Sequence, residues 1–298
     1  MSKRGFLHGT VFGVLCALAS TMIWSGNFII ARGLNAMTPP VTLAFMRWTV
    51  ACAAVSLFAL PAIRRDWPVL RAHLGYMVVT SLLGVTVFNT LIYVGGRTTV
   101  AMNLALISTA FPIFIILLAR LFLGEPITLR RVLGVALAVG GITTLVVRGD
   151  FMRLVNMTFA VGDMWMLFAA FLFAVYSILI RRKPPELGQT AFLGFTFYCG
   201  WLMIIPWMLW EQSSASWPAM NLPVVGSVLY IGLGASLVAY FTWNRAVALI
   251  GPSRAGFIYY CLPVFTGTWA WLLLGEPVTL LHAGTGVCIL TGIYIATK

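Results

Sequence analysis

The chain is predicted to be an all-α integral membrane protein, with ten transmembrane helices arranged as two inverted five-helix repeats. Three observations carry this prediction. Mean hydropathy is +0.98, and 61% of residues are hydrophobic and only 9% charged, where a soluble domain carries about 25% charge. One stretch is written twice: Leu123-Gly124-Glu125-Pro126-Ile127-Thr128 returns as Leu274-Gly275-Glu276-Pro277-Val278-Thr279, an offset of 151 residues (274 − 123). Positive charge gathers in alternate connections, as expected of a multi-pass protein.

A span needs about 20 mostly apolar residues to cross roughly 30 Å of hydrocarbon. That ruler places span one at 10–32, span two at 40–63, span three at 73–94, span four at 99–121 and span five at 130–147. Spans six to ten follow at 162–181, 189–210, 222–245, 252–274 and 280–297. The apolar runs are continuous and not alternating, which favours helices over a β-barrel. Span one is too long, and too weakly followed by a small-residue cleavage site, to read as a removable signal peptide. The polar connection 148–160 divides a first repeat, 1–147, from a second, 148–298. Register persists well beyond the duplicated turn: Ile107 meets Ile258, Pro112 meets Pro263, Phe114 meets Phe265 and Gly141 meets Gly292. In so apolar a chain, a two-fold repeat points to a transporter.

Charge gives the orientation. If the spans alternate, 14 Lys and Arg fall on one side, among them Arg64, Arg65, Arg130, Arg131, Arg181, Arg182 and Lys183. Only 4, Arg32, Arg97, Arg148 and Arg153, fall on the other, with Arg47 inside a span. The bias puts both termini in the cytoplasm, and the expected location is a bacterial inner membrane. Five spans is an odd number, so the second repeat sits upside down relative to the first. The net charge of +12 is accounted for by this loop bias. A nucleic-acid partner is not needed, and no soluble segment interleaves basic and aromatic residues as such a partner would require. The expected partners are the lipid bilayer and a small-molecule substrate.

The five cysteines, Cys16, Cys52, Cys199, Cys261 and Cys288, match no zinc or redox spacing and read as buried small hydrophobes. No metal site and no cofactor is expected. A phosphate-binding Gly-rich loop is missing too, so ATP does not drive this polypeptide directly.

The five-plus-five layout, the paired Leu-Gly-Glu-Pro turns, the run Phe45-Met46-Arg47-Trp48 and Gly162-Asp163 at the start of the second half resemble the EamA-type members of the drug/metabolite transporter superfamily. The resemblance covers essentially the whole chain. It is nearest to the bacterial exporters of amino acids and related metabolites, the aromatic amino-acid exporters among them, and implies export of such solutes.

The residues themselves suggest where a path would run. In each Leu-Gly-Glu-Pro turn, glycine is expected to end a helix in the left-handed conformation. Glutamate and proline would then open the next, near its positive dipole end. Gating by Glu125 is the alternative. Pro112 and Pro263 lie mid-span in equivalent helices; each removes a helical hydrogen bond, so spans four and nine read either as simple bends or as bending gates.

Helical spacing places Thr86, Asn89 and Tyr93 on one face of span three, and Ser236, Tyr240 and Asn244 on one face of span eight. At the offset of 151, Asn89 corresponds to Tyr240 and Tyr93 to Asn244. Trp24 and Asn27 with Ser20 form a third stripe, whose partner face in span six ends in Phe173 and Tyr176, while Asn103 sits nearer the periplasmic end. Interhelical glue is the plain explanation for any one of these; together, with Tyr260, they outline a substrate cavity between spans one, three, four, six, eight and nine. Aromatic walls would favour planar or apolar solutes, with lipid-facing packing the other reading of Trp243 and Tyr259. Arg47 lies roughly 10 Å deep at 1.5 Å per residue. It either holds a substrate carboxylate, snorkels, or pins helix two to a carbonyl.

All seven acidic residues sit at helix ends or in loops, so no carboxylate is placed to relay protons through the bilayer. The glycines of spans five and ten read as packing, with a dimer interface as the alternative to a monomer. These points lead to an exporter of small organic metabolites, amino acids with an aromatic or apolar preference, working by alternating access down the substrate's own gradient. A proton- or solute-coupled antiporter is the alternative. An integral-membrane enzyme would need an interfacial His, Asp, Glu or Cys cluster, which the sequence does not supply.

Overall fold

The computed structural model describes residues 3–34, 38–99, 101–274 and 279–297, and all regular structure among them is helical. Spans one, two and three run Lys3–Leu34, Pro40–Arg65 and Leu74–Gly95. Spans five to eight run Leu129–Val146, Val161–Arg181, Gln189–Gln212 and Leu222–Ile250, and span ten runs Leu280–Thr297. Spans four and nine are each broken in two, Ala101–Ile107 with Ala110–Leu123 and Pro252–Tyr259 with Leu262–Leu274.

The breaks have a local cause. Proline has no N–H, so the carbonyls of Ser108 and Tyr259, four residues before Pro112 and Pro263, receive no α-helical bond. The chain tightens there instead, with Phe111 N donating to Ser108 O (3.3 Å) and Cys261 N to Ile258 O (3.0 Å). Gly124 ends span four with φ 69°, and Glu125 N donates back to Ala119 O (3.2 Å). The next helix starts later than the sequence suggests. Thr128 is its N-cap, accepting from Arg131 N (3.3 Å), so Pro126 stands outside the helix, and Glu125 pairs with Arg131 at 3.5 Å. The second copy of the turn, with Glu276, lies outside the described residues.

Packing repeats the duplication. Span one packs on spans eight and nine; span six, its counterpart, packs on spans three and four. Spans two and seven, four and nine, and five and ten each pack on their own counterpart. A pseudo-two-fold axis therefore passes between these three pairs. Two hydrogen bonds mark it, because each joins residues separated by the repeat offset of 151: Asn89 Nδ2 to Tyr240 Oη (2.7 Å) and Tyr260 Oη to Thr109 O (3.2 Å). Spans five and ten touch through glycine. A Cβ on Gly134 would lie 2.5 Å from Gly292 O, whereas Gly140, Gly284 and Gly286 have nothing within 4 Å.

Two features were not legible beforehand. Spans three and eight each contain a π-helical segment, Leu82–Val87 and Tyr230–Val238; at the offset of 151 the first maps onto 233–238, inside the second. Acids also cap the facing helices reciprocally. Glu211, ending span seven, accepts from Val41 N (3.0 Å), Thr42 N (2.7 Å) and Thr42 Oγ1 (2.8 Å) at the start of span two. Asp66, ending span two, accepts from Gly188 N (2.9 Å) at the start of span seven. Each carboxylate sits at the positive end of its antiparallel neighbour's dipole.

Candidate functional site

The polar stripes meet at the axis, and the π segments organise the meeting. A π turn inserts a residue into the 3.6-residue repeat and so rotates the phase by about 100°. Gly84 and Ala235, equivalent positions in the two segments, each present a carbonyl to the other half. Gly84 O accepts from Tyr240 Oη (2.6 Å) and Asn89 Nδ2 (3.1 Å). Ala235 O accepts from Trp24 Nε1 (2.9 Å) and Arg47 Nη2 (2.9 Å). Gly84 has to be glycine, since a Cβ there would lie 2.2 Å from the ring of Tyr176.

Arg47 is only 2% exposed. Its Nη1 donates to Tyr93 Oη (3.0 Å) and its Nε to Ser236 Oγ. Its guanidinium carbon lies 5.4 Å from the Trp48 ring centroid. All three acceptors are neutral, and among the described residues no carboxylate pairs with it. A guanidinium has five N–H groups, so two remain. The buried cation does not snorkel, and its bond to Ala235 O pins span two to a carbonyl of span eight.

Beside it lies a small chamber of about 20 Å³, lined by Trp24, Asn27, Arg47, Phe88, Asn89, Ile92, Phe173 and Tyr259. That is room for about one water molecule. Asn27 is 5% exposed and its Oδ1 has no partner. The walls are an aromatic cluster: Trp24 meets Phe173 edge-on at 5.5 Å, and Phe88 stacks on Phe173 at 4.8 Å. Trp243 and Tyr259 are buried in this cluster, not facing lipid.

The other expected residues fall into distinct places. Asn244 Nδ2 donates to Tyr176 Oη (3.0 Å), a second polar pair behind the chamber. Thr86 is turned away by the π segment and donates to Gly200 O (2.9 Å) in span seven. Asn103 is remote: its Nδ2 bonds Asp163 Oδ2 (2.7 Å) and Thr158 O (3.0 Å), tying span four to the start of span six. Tyr260 holds the break in span four through Thr109 O, and Pro112 and Pro263 stand within a turn of the two breaks. Among the described residues, spans four and eight therefore contribute nothing to the chamber lining, and span two contributes its one charge, Arg47. Reading by stripes missed Phe88 and Ile92 because it followed polar side chains alone; on the regular helix Phe88–Gly95, Ile92 stands three residues after Asn89 and four after Phe88, on the same face. Among the described residues no three His, Cys, Asp or Glu side chains cluster to hold a metal. The described cysteines are free and buried or half-buried.

The chain is similar to several transporters over nearly its whole length. It is 28% identical over 295 residues to a probable amino-acid metabolite efflux pump of Escherichia coli, covering 95% of this chain and 93% of that one. A probable terminal-alkyne amino-acid exporter of Streptantibioticus cattleyicolor is 26% identical over 250 residues, covering 82% and 80%. An uncharacterized transporter of Bacillus subtilis, YyaM, is 22% identical over 280 residues, covering 94% and 92%. A protein crystal structure superposes with a TM-score of 0.75 at 20% identity, covering 95% of this chain and 96% of that one, which supports the fold. The profile of the EamA-like transporter family matches twice, over residues 11–147 and 160–298. With both halves matched and the helices packed as counterparts, the chain belongs to the EamA-like transporter family and is a multi-pass membrane protein.

Proposed function

We propose that this transporter exports small carboxylate-bearing metabolites, amino acids with an aromatic or apolar side chain, across a bacterial inner membrane. The observation that carries the reading is Arg47, a buried cation with no counter-ion among the described residues, on the wall of a chamber at the pseudo-two-fold axis. Placing an arginine at the centre of a membrane helix costs about 3 kcal/mol. A carboxylate about 4 Å away would return about 4 kcal/mol at an effective dielectric of 20, so an anionic group on the substrate offsets that cost. Asn27 Oδ1, unpartnered in the same chamber, offers an acceptor to an ammonium. Phe88, Phe173 and Tyr259 offer apolar faces to a side chain. The two relatives named for amino-acid export fit the same reading.

The chamber, about 20 Å³, is far below the 300 Å³ or so of an ordinary ligand pocket. Substrate entry thus requires the two repeats, 1–147 and 148–298, to move against each other, with spans four and nine bending at their breaks. Among the described residues no acid lines the chamber, and Asp163 accepts from Thr99 Oγ1, Asn103 Nδ2 and Ala160 N at a helix start. Transport down the substrate's gradient, with both termini cytoplasmic, follows from this reading. Uptake and counterflow in proteoliposomes with an amino-acid panel test it. Aromatic and apolar amino acids should exchange without an imposed pH gradient, and Asn89→Leu or Tyr240→Leu should reduce the rate while the protein still folds. Counterflow by none of the panel, or accumulation only under a proton gradient, would overturn it.

A further inference from the structure

Far from the chamber, where the turn after span four meets the start of span nine and the end of span ten, lies a groove of about 470 Å³. Arg130, Arg131 and Arg254 line it, together with Leu129, Leu133 and Thr297. Arg131 is engaged, donating to Pro126 O (2.7 Å) and pairing with Glu125. Arg130 and Arg254 are exposed and make no hydrogen bond or ion pair among the described residues. Two guanidinium groups, one from each repeat, thus line one groove with no counter-ion among the described residues. Below them the wall is apolar and open: Leu129 is 72% and Leu133 54% exposed, with Val132 beside them at 51%. The start of span five adds a partial positive charge of the same sign.

An occupant suited to this groove carries a phosphate on one end and hydrocarbon on the other. A free phosphate would satisfy the guanidinium groups and leave the leucines bare; an anionic phospholipid covers both. We propose that the groove is a binding site for the headgroup phosphate of an anionic phospholipid, held between Arg130 and Arg254 with an acyl chain along Leu129 and Leu133. Basic pockets between transmembrane helices suit such headgroups. The lipid would bridge span five of one half to span nine of the other. The inference is independent of which solute the transporter carries.

The test is native mass spectrometry of the full chain released from nanodiscs of phosphatidylethanolamine with phosphatidylglycerol. Wild type should retain phosphatidylglycerol over phosphatidylethanolamine. Arg130→Ala with Arg254→Ala should weaken that retention about thirty-fold, the effect of two arginines at about 1 kcal/mol each. Arg130→Lys with Arg254→Lys should keep most of it, and Arg71→Ala, an exposed arginine elsewhere, should change nothing. Inorganic phosphate at millimolar concentration should not displace the lipid. Equal retention by wild type and the double alanine variant overturns the proposal, and so does displacement by inorganic phosphate, which would mark a soluble-anion site. The unfolding temperature of each variant, measured in parallel, separates lost binding from lost fold.

Discussion

Spans two and seven, and spans four and nine, are both counterpart pairs packed across the same axis, yet they are built in opposite ways. Spans two and seven are unbroken and tied along their length. Trp201 Nε1 donates to Thr49 Oγ1 (2.8 Å), Tyr198 bonds Ser56, and each helix start is capped by the other helix's terminal acid. Spans four and nine are interrupted beside Pro112 and Pro263, and Tyr260 Oη donates to Thr109 O across the breaks. Pro61 and Pro206 lie inside spans two and seven without breaking them, so an inverted repeat produces a clamp where acids and side-chain bonds tie the pair and a hinge where the helices break beside Pro112 and Pro263. Duplication supplies the pairing, and the residues at the contact decide whether it holds or bends.

The sharpest way to break this contrast is to lock each pair. In a background freed of native cysteines, Thr109→Cys with Tyr260→Cys joined by a bifunctional thiol reagent should cut transport more than ten-fold. The same treatment of Thr49→Cys with Trp201→Cys should leave it nearly unchanged. Full-rate transport by the locked hinge would refute the contrast.

Substitutions in the clamp should cost stability and not rate. Glu211→Ala leaves two backbone N–H groups unpaired and removes the acceptor of the Thr42 hydroxyl, which keeps its bond from Gln212 Nε2, a loss of about 3 kcal/mol. It should lower the unfolding temperature in detergent by several degrees, at roughly 2–4 °C per kcal/mol, with transport per folded molecule retained. Gly134→Ala drives a methyl against Gly292 O and should cost about 1–3 kcal/mol by overpacking.

Asp66 adds a pH signature. The hydrogen bond from the Arg65 guanidinium, with a further contribution from Gly188 N–H, holds its carboxyl below the usual carboxylate range. A depressed folded pKa gives stability above the unfolded value of about 3.9, lost as pH falls through the folded pKa. The gap in unfolding temperature between wild type and Asp66→Asn should therefore be full at neutral pH and shrink below about pH 4. A gap that widened on acidification would contradict the cap. The smallest effect is expected from Gly140→Ala, where no atom lies within 4 Å; with nothing to clash, alanine's helix propensity should raise stability by up to about 1 kcal/mol.

Most of this architecture was legible in the sequence, because hydropathy and the offset of 151 are long-range signals summed over many residues. Span limits, the broken helices beside Pro112 and Pro263, and the left-handed Gly124 all follow from local chemistry. The site was legible in part. Asn89 and Tyr240 do meet, and their separation of 151 residues is a reason two-fold counterparts should touch on an axis. Thr86 departs because a π turn depends on tertiary partners for its carbonyls, which no periodicity records. Glu211 and Asp66 were visible as acids at helix ends, but which helix start each would cap is fixed only by antiparallel packing of distant segments. Arg47 was recognised as a buried charge; that its neighbours would all be neutral required the fold.

The central claim is that Arg47 awaits a carboxylate, and a matched pair of solutes tests it most directly. Counterflow of phenylalanine and of phenethylamine, which differ by the carboxylate alone, is measured in proteoliposomes for wild type and Arg47→Gln. The account predicts that wild type exchanges phenylalanine at least a hundred-fold faster than the amine, in line with the Coulomb term of about 4 kcal/mol, and that Arg47→Gln removes the preference while remaining folded. Equal exchange of acid and amine by wild type, or an unchanged preference in Arg47→Gln, would contradict it.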